Sequence, residues 1–324
     1  MKVLITGATG FLGGYLVKEC LALGYEVIAV GRNQAIGQGL EVSYEKLVFV
    51  VADLADKASL AAAFAHQPDK VIHAGALSTV WGPWKDFYEA NVLGTQHVID
   101  WCQETGVERL VFVSSPSIYA SNENQELVTE EQAPVDNRLN NYIASKIEAE
   151  KRVIASLVPY VIIRPRGLFG VGDTSIIPRL LAIHDKVGVP LVAGGQHLID
   201  LTCVENVAYA IGLALEKKEA IGQVYNITNG EPMTFKATLD LFFKEKGIKG
   251  RYLSVPKWLL AGTAVVLEGV YRLFHLKGEP RLTCYTYYLL VYSQTLSIEK
   301  ARRELGYHPI MTIEEGIRHY VQHS

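Results

Sequence analysis

Cysteine is scarce and never paired. Cys20, Cys102, Cys203 and Cys284 are the four thiols, and no two stand in a Cys-x-x-Cys spacing, which excludes a zinc ribbon or a disulfide framework and fits buried thiols in a reducing compartment. His-Glu-x-x-His is absent and the nine histidines show no ligand spacing, so no metal is expected. An excess of one charge is missing too. With 31 Lys+Arg against 34 Asp+Glu the net charge is −3, and bulk charge selects neither nucleic acid nor an anionic bilayer as partner. No uncharged run reaches the roughly 18–20 apolar residues that a membrane span needs. The ten residues between Lys257 and Glu268, and the Tyr-, Thr- and Ser-rich Leu282–Ile298, are expected to line an apolar pocket or form core, with peripheral membrane contact the lesser alternative. A strand pattern follows Met1 at once and leaves no room for a secretory leader, so a cytoplasmic location is expected.

What is present is ordinary globular material: 324 residues, 49% hydrophobic and 20% charged, enough for one large domain or a domain with a smaller partner. Short apolar, β-branched runs recur at Lys2–Thr6, Glu26–Val30, Leu47–Val51, Lys70–His73, Arg109–Val113, Tyr160–Arg164 and Val224–Ile227, with amphipathic patterns between them. Such alternation predicts a parallel sheet covered on both faces, an α/β doubly wound fold of Rossmann type. The alternation breaks near Gly167, and beyond Glu231 the pattern is mostly helical. Residues 1–166 and about 198–230 are therefore expected to form a cofactor-binding domain, and about 167–197 and 231–324 a smaller substrate lobe.

Gly7, Gly10 and Gly13 follow the first strand and open the helical "YLVKECLALGY". A glycine turn lets backbone approach a pyrophosphate, and the helix start offers unpaired N–H groups, so this stretch is expected to cradle a dinucleotide. An acidic residue at the end of the second strand would take the ribose hydroxyls of NAD. The chain has "VIAVGRN" there instead; Gly31 leaves space and Arg32 supplies a guanidinium for a 2′-phosphate, favouring NADP over NAD. Asp53, after the third strand, is placed either for the adenine amino group or as a helix cap.

Further on, "NNYIASKIEAEKRV" sets Tyr142 and Lys146 at i and i+4 on one helix face. A phenol of ordinary pKa, about 10, works near neutrality only if a cation stabilises its phenolate. Lys146 is expected to do so. "RLVFVSS" brings Ser114 and Ser115 to the carboxyl end of a strand, where open α/β sheets bind ligands. His73 is expected to be a hydrogen-bonded structural group.

These motifs, with "IHAGA", Asn91 in "YEANVLGT", "VFVSSPSIYA", "RPRGLFGVGD" and "DLTCVENVA", resemble in their order the extended short-chain dehydrogenase/reductases, over nearly the whole chain. "STVWGPWKDFYEANVLGT", "GQVYNITNGEP" and "LSIEKARRELGYHP" are most similar to the 3β-hydroxysteroid dehydrogenase branch, especially bacterial 2-alkyl-3-oxoalkanoate reductases. The resemblance implies that Ser115, Tyr142 and Lys146 act together, that Asn91 supports a proton relay, and that a homodimer forms. It extends the cofactor contacts to Thr9, Phe11, Leu12, Leu54, Ala74, Gly75, Ala76 and Pro165, beside Tyr142 and Lys146. Ser115, Ser117 and Arg166 are implied substrate contacts. The chain departs from the family pattern at Gly75, Ala120, Phe169 and Asn206, which bears on the substrate more than on the chemistry.

On the substrate side, "WLLAGTAVVLEGVYRLF" and "YTYYLLVY" favour an apolar pocket, and Trp81 and Trp84 are expected to extend its wall. Arg166 and Arg179 are candidates for an acidic head group, whereas Arg164 in "RP" is expected to be structural. The expected activity is an NAD(P)-dependent oxidoreductase acting on a ketone or secondary alcohol of a hydrophobic substrate, such as a 3-oxo long-chain acid or a 3β-hydroxysteroid. A nucleotide-sugar epimerase or dehydratase is the alternative with the same triad. A non-catalytic NAD(P)-sensing protein is the alternative of another class.

Overall fold

The computed structural model describes residues 1–174 and 176–323. Its centre is a seven-stranded parallel sheet: β1 (Lys2–Thr6), β2 (Glu26–Gly31), β3 (Leu47–Val51), β4 (Lys70–His73), β5 (Arg109–Val113), β6 (Tyr160–Pro165) and β7 (Gln223–Ile227), in the spatial order β7-β6-β5-β4-β1-β2-β3. Alternate side chains enter opposite layers, as the two-residue period of a strand requires. Val3, Ile5, Val27, Ala29, Val111, Val161 and Ile163 pack into one hydrophobic layer, and Leu4, Ile28, Val71, Leu110, Phe112 and Ile162 into the other. A sheet buried on both faces is what its near-continuous apolar strands predict.

Helices α1 (Phe11–Ala22), α2 (Gln34–Ser43), α3 (Gly94–Thr105) and α4 (Asn141–Ala155) follow β1, β2, β4 and β5 along the chain. The strand order reverses between β1 and β4, so their carboxyl ends diverge there and leave a crevice. His73 pins that point from below. Its Nδ1 lies 2.7 Å from Thr6 Oγ1 and its Nε2 3.0 Å from Thr95 Oγ1, and burial drives its pKa down to about 3. A neutral ring with the proton on Nε2 completes one row: Gly75 N–H donates to Thr6, Thr6 to His73, His73 to Thr95, and Thr95 to the Asn91 carbonyl.

Apart from short turns such as Ala61–Phe64 and Trp84–Phe87 and the π-helical Tyr88–Leu93, the other helices include α5 (Ile176–Lys186), α6 (Val204–Glu216), α7 (Phe235–Glu245), α8 (Lys257–Leu273), α9 (Cys284–Val291), α10 (Glu299–Leu305) and α11 (Ile313–His323). The C-terminal region is less purely helical than expected. A four-stranded sheet joins Met233–Thr234, Leu198–Ile199, Gln294–Leu296 and Gln125–Val128, so a segment from between β5 and α4 serves the second layer. Among the described residues no helix is long and apolar enough to cross a membrane.

Candidate active site

One cleft of about 1190 Å³ runs from the glycine turn, over the carboxyl ends of β1, β4, β5 and β6, to α5 and α9. At its first end Gly7 has φ +73°, and a Cβ there would stand 2.8 Å from the Cα of Gly75. A Cβ on Gly13 would stand 2.1 Å from the Gly7 carbonyl oxygen. The turn therefore exists only without side chains, and it seats α1 directly on the strand end. Thr9, Gly10, Phe11, Leu12, Leu54, Ala74, Gly75, Ala76 and Pro165 line the same cleft. No side chain caps the start of α1 at Gly10, so its first N–H groups are available to a phosphate. These residues fit a dinucleotide.

The space expected above Gly31 is filled by Thr9, whose Oγ1 would lie 2.5 Å from a Cβ at that position. Arg32 is exposed and its guanidinium stands 3.9 Å from the Asp53 carboxylate. Asp53 Oδ1 also accepts the Ala55 N–H at 3.0 Å, so this carboxylate shapes its own turn as well as facing Arg32.

In the middle of the cleft, Tyr142 and Lys146 project from α4, which Asn140 caps by accepting the Ile143 N–H at 2.8 Å. Ser115, just beyond the end of β5, lies 2.8 Å from Ser117 through their hydroxyl oxygens and is near enough to the Tyr142 phenol to pull its pKa down. Burial raises that phenol to about 12, and only Ser115 pulls it downward. The expected lowering by Lys146 does not occur in this structure. The ammonium donates to the Val113 carbonyl at 2.8 Å and sits 4.3 Å from the centre of the Phe112 ring. Desolvation brings Lys146 itself down to about 8.

Asn91 lies behind this group and does not line the cleft. Its side chain accepts the Leu77 N–H at 2.7 Å and donates to the Leu77 carbonyl at 3.0 Å and to Ser145 Oγ at 2.9 Å. That clamps the loop after β4 to the helix carrying Tyr142. Trp81 and Trp84 are also outside the lining. Trp81 meets Tyr271 edge-on at 6.2 Å and Arg272 at 5.5 Å, so its ring is spent anchoring α8. The apolar wall is built instead by Leu180, Ile183, Phe235, Leu289 and Leu290.

The far end holds polar groups of which sequence reasoning found only part. Arg166 lines the cleft at 7% exposure; its Nη1 donates to Gln294 Oε1, its Nε has no partner, and no carboxylate among the described residues pairs with it. Arg164, two residues earlier, is a contrast, held by both oxygens of Glu150 at 2.9 and 2.6 Å. Tyr285 lines the cleft too, and the Arg166 charge and the Ser117 hydroxyl beside it both act to lower its phenol pKa against burial. A row of hydroxyls therefore leads from Tyr142 through Ser115 and Ser117 to Tyr285, beside a guanidinium. Asp200 faces the same arginine, and burial raises its carboxyl to about 6. Tyr285 belongs to a tyrosine-rich segment read only as apolar; Asp200 opens the "DLTCVENVA" motif, from which no role for it was read.

A dinucleotide cradle opening onto a paired serine and tyrosine with a buried lysine defines a nicotinamide-dependent oxidoreductase. The chain belongs to the NAD dependent epimerase/dehydratase family, whose model matches residues 3–228. It is 36% identical to the uncharacterized protein YbjS of Escherichia coli, over 98% of this chain and 96% of that one. It is 32% identical to a 2-alkyl-3-oxoalkanoate reductase of Stenotrophomonas maltophilia, over 98% of both chains. Among solved structures it is similar to the epimerase Mth375 of Methanothermobacter thermautotrophicus, with a TM-score of 0.80 and 22% identity over 99% of this chain and 91% of that one.

Proposed function

We propose that this protein reduces the ketone of a long-chain 3-oxo acid, with NADPH preferred to NADH. Residues 1–166 and about 198–230 hold the cofactor, and the rest of the chain covers the substrate. The observation that carries this reading is that Ser115, Tyr142 and Lys146 meet in the lining of one cleft that begins at the glycine cradle. When bound, the cofactor supplies a hydride to the carbonyl carbon. Ser115 holds the carbonyl oxygen, and Tyr142 gives that oxygen its phenolic proton as negative charge develops. Burial keeps the phenol protonated at neutral pH, the form a proton donor must start from. Lys146 adds a buried cation to the same stretch of the cleft, where it would help hold the cofactor, and Asn91 keeps the flanking loop and α4 in register.

Arg166 selects the acid. Its buried guanidinium faces Asp200 but is in ion-pair contact with no carboxylate among the described residues, so it keeps hydrogen-bonding capacity for an anion, and Arg binds carboxylates through two parallel hydrogen bonds. Its place beyond Ser117 and Tyr285 suits a carboxylate a few bonds from the reacting ketone. The apolar wall then takes the alkyl chain. Arg32, with no acid at the end of β2, supports NADPH, because its exposed pair with Asp53 is worth only about 0–1 kcal/mol and yields to a 2′-phosphate. Relatives named as a 2-alkyl-3-oxoalkanoate reductase and a ketoreductase support the reductive reading, beside others named as sterol dehydrogenases.

The test follows NADPH and NADH oxidation with a long-chain 3-oxo acid, its methyl ester, a neutral ketosteroid and a nucleotide-sugar. The 3-oxo acid with NADPH is expected to give the highest kcat/KM. Equal rates for acid and ester, or turnover of the nucleotide-sugar alone, contradict the proposal.

A further inference from the structure

Helix α8 is turned inside out. At about 100° per residue, Trp258, Leu259, Val265, Val266, Val270, Leu273 and Phe274 share an arc of about half the helix circumference with Gly262, Gly269 and Thr263, and that arc contains no charge. It faces outward: Trp258 is 74% exposed, Val266 64%, Leu273 73% and Phe274 65%. Its inner face holds Leu260, Ala264 and Glu268, and Glu268 is consumed by Arg272 and the Cys284 N–H. An outward helix face in a water-soluble protein is normally the polar one. An apolar face of this extent marks an interaction surface.

The rim identifies the partner. Lys257 at the start of the helix, over the Tyr292 ring, and Lys277 just beyond its end are exposed, as is Arg272 on its flank beside Glu268 and Trp81, with Arg251 before the helix and Arg281 after it. Between residues 257 and 278 the only carboxylate is the buried Glu268. Cations flanking an apolar arc with Trp258 near one end and Phe274 at the other match an anionic lipid surface, with the headgroups against the rim and the acyl layer against the arc. A second copy of this chain presenting the same face would bring two basic rims together. The surface also borders the cleft: α8 packs on α9, which supplies Tyr285, Leu289 and Leu290 to the lining, and the intervening segment supplies Glu279 and Arg281. Glu279 ties that segment to Arg179 at 3.0 Å and to Thr79 at 3.3 Å.

We propose that α8 seats the protein on anionic membrane and lets hydrophobic substrate pass from the lipid into the adjacent cleft. The helix geometry carries this surface independently of the substrate assigned above. The full-length protein is sedimented with phosphatidylcholine vesicles and with vesicles containing phosphatidylglycerol, beside Val266→Asp and Leu273→Glu, which touch neither cofactor nor cleft. Wild type is expected to bind the anionic vesicles, release them at high salt and lose at least about tenfold in partitioning with either substitution. Cofactor affinity measured in solution stays unchanged and shows that both variants fold. Equal partitioning of variants and wild type overturns the proposal. So does a dimer, seen by sedimentation without lipid, that the same substitutions dissociate while vesicles go unbound.

Discussion

The two ends of the cleft are built from different materials. At the cofactor end backbone decides: Gly7, Gly13 and Gly75 touch one another so closely that no side chain fits, and a row of neutral hydrogen bonds through His73 holds them. At the other end side chains decide, and the Arg166 Nε is left without a partner. A site that binds one invariant ligand can be closed in advance. A site that selects among substrates keeps its polar cost open for the substrate to settle.

Arg164 and Arg166 bring this difference down to one strand end, on either side of Pro165. Arg164→Met should be the most damaging change in stability, about 3–5 kcal/mol by urea unfolding, because Glu150 is left charged and buried. Arg166→Met should fold within about 1 kcal/mol of wild type, yet lose about 10–100-fold in kcat/KM on a 3-oxo acid and little on its methyl ester. If Arg166→Met destabilises as much as Arg164→Met, the contrast breaks.

Asp200 sharpens it further. Its folded pKa is raised from 3.8 to about 6, so the folded state binds the proton more tightly and ionisation costs stability as pH rises through that window. Asp200→Asn should therefore gain up to about 3 kcal/mol at pH 7 and nothing at pH 3, by thermal or urea unfolding at both values. The smallest effect concerns Lys146 at the boundary between the two ends. With its pKa near 8 the ammonium is lost as pH rises, while Tyr142 stays protonated to well above pH 10. Reductive kcat/KM should fall about tenfold from its plateau by pH 9 to 9.5, and Lys146→Arg should shift that limb upward.

The sequence was legible where periodicity or backbone geometry leaves one solution. All seven strands of the parallel sheet fall within a residue of their expected bounds, and the Gly7–Gly13 turn lies at the crevice. Tyr142 and Lys146 share a helix face because the helical period requires it, yet the direction of the Lys146 ammonium was not legible, since Val113 and Phe112 compete for it from another element. Trp81 shows the same limit. An aromatic residue beside a strand end looks alike whether it faces a ligand or, as here, stacks with Arg272 from a helix nearly 200 residues later. Gln125–Val128 carries no strand pattern of its own and pairs only because Gln294–Leu296 is brought beside it.

The central claim is that Tyr142 is the acid of a nicotinamide-dependent reduction. Tyr142→Phe keeps the ring and removes only the proton, so NADPH affinity by fluorescence titration and turnover of a 3-oxo acid can be measured on one preparation. The account predicts an unchanged Kd within about twofold and a loss of at least about 10²-fold in kcat. Retained turnover with intact NADPH binding would contradict it.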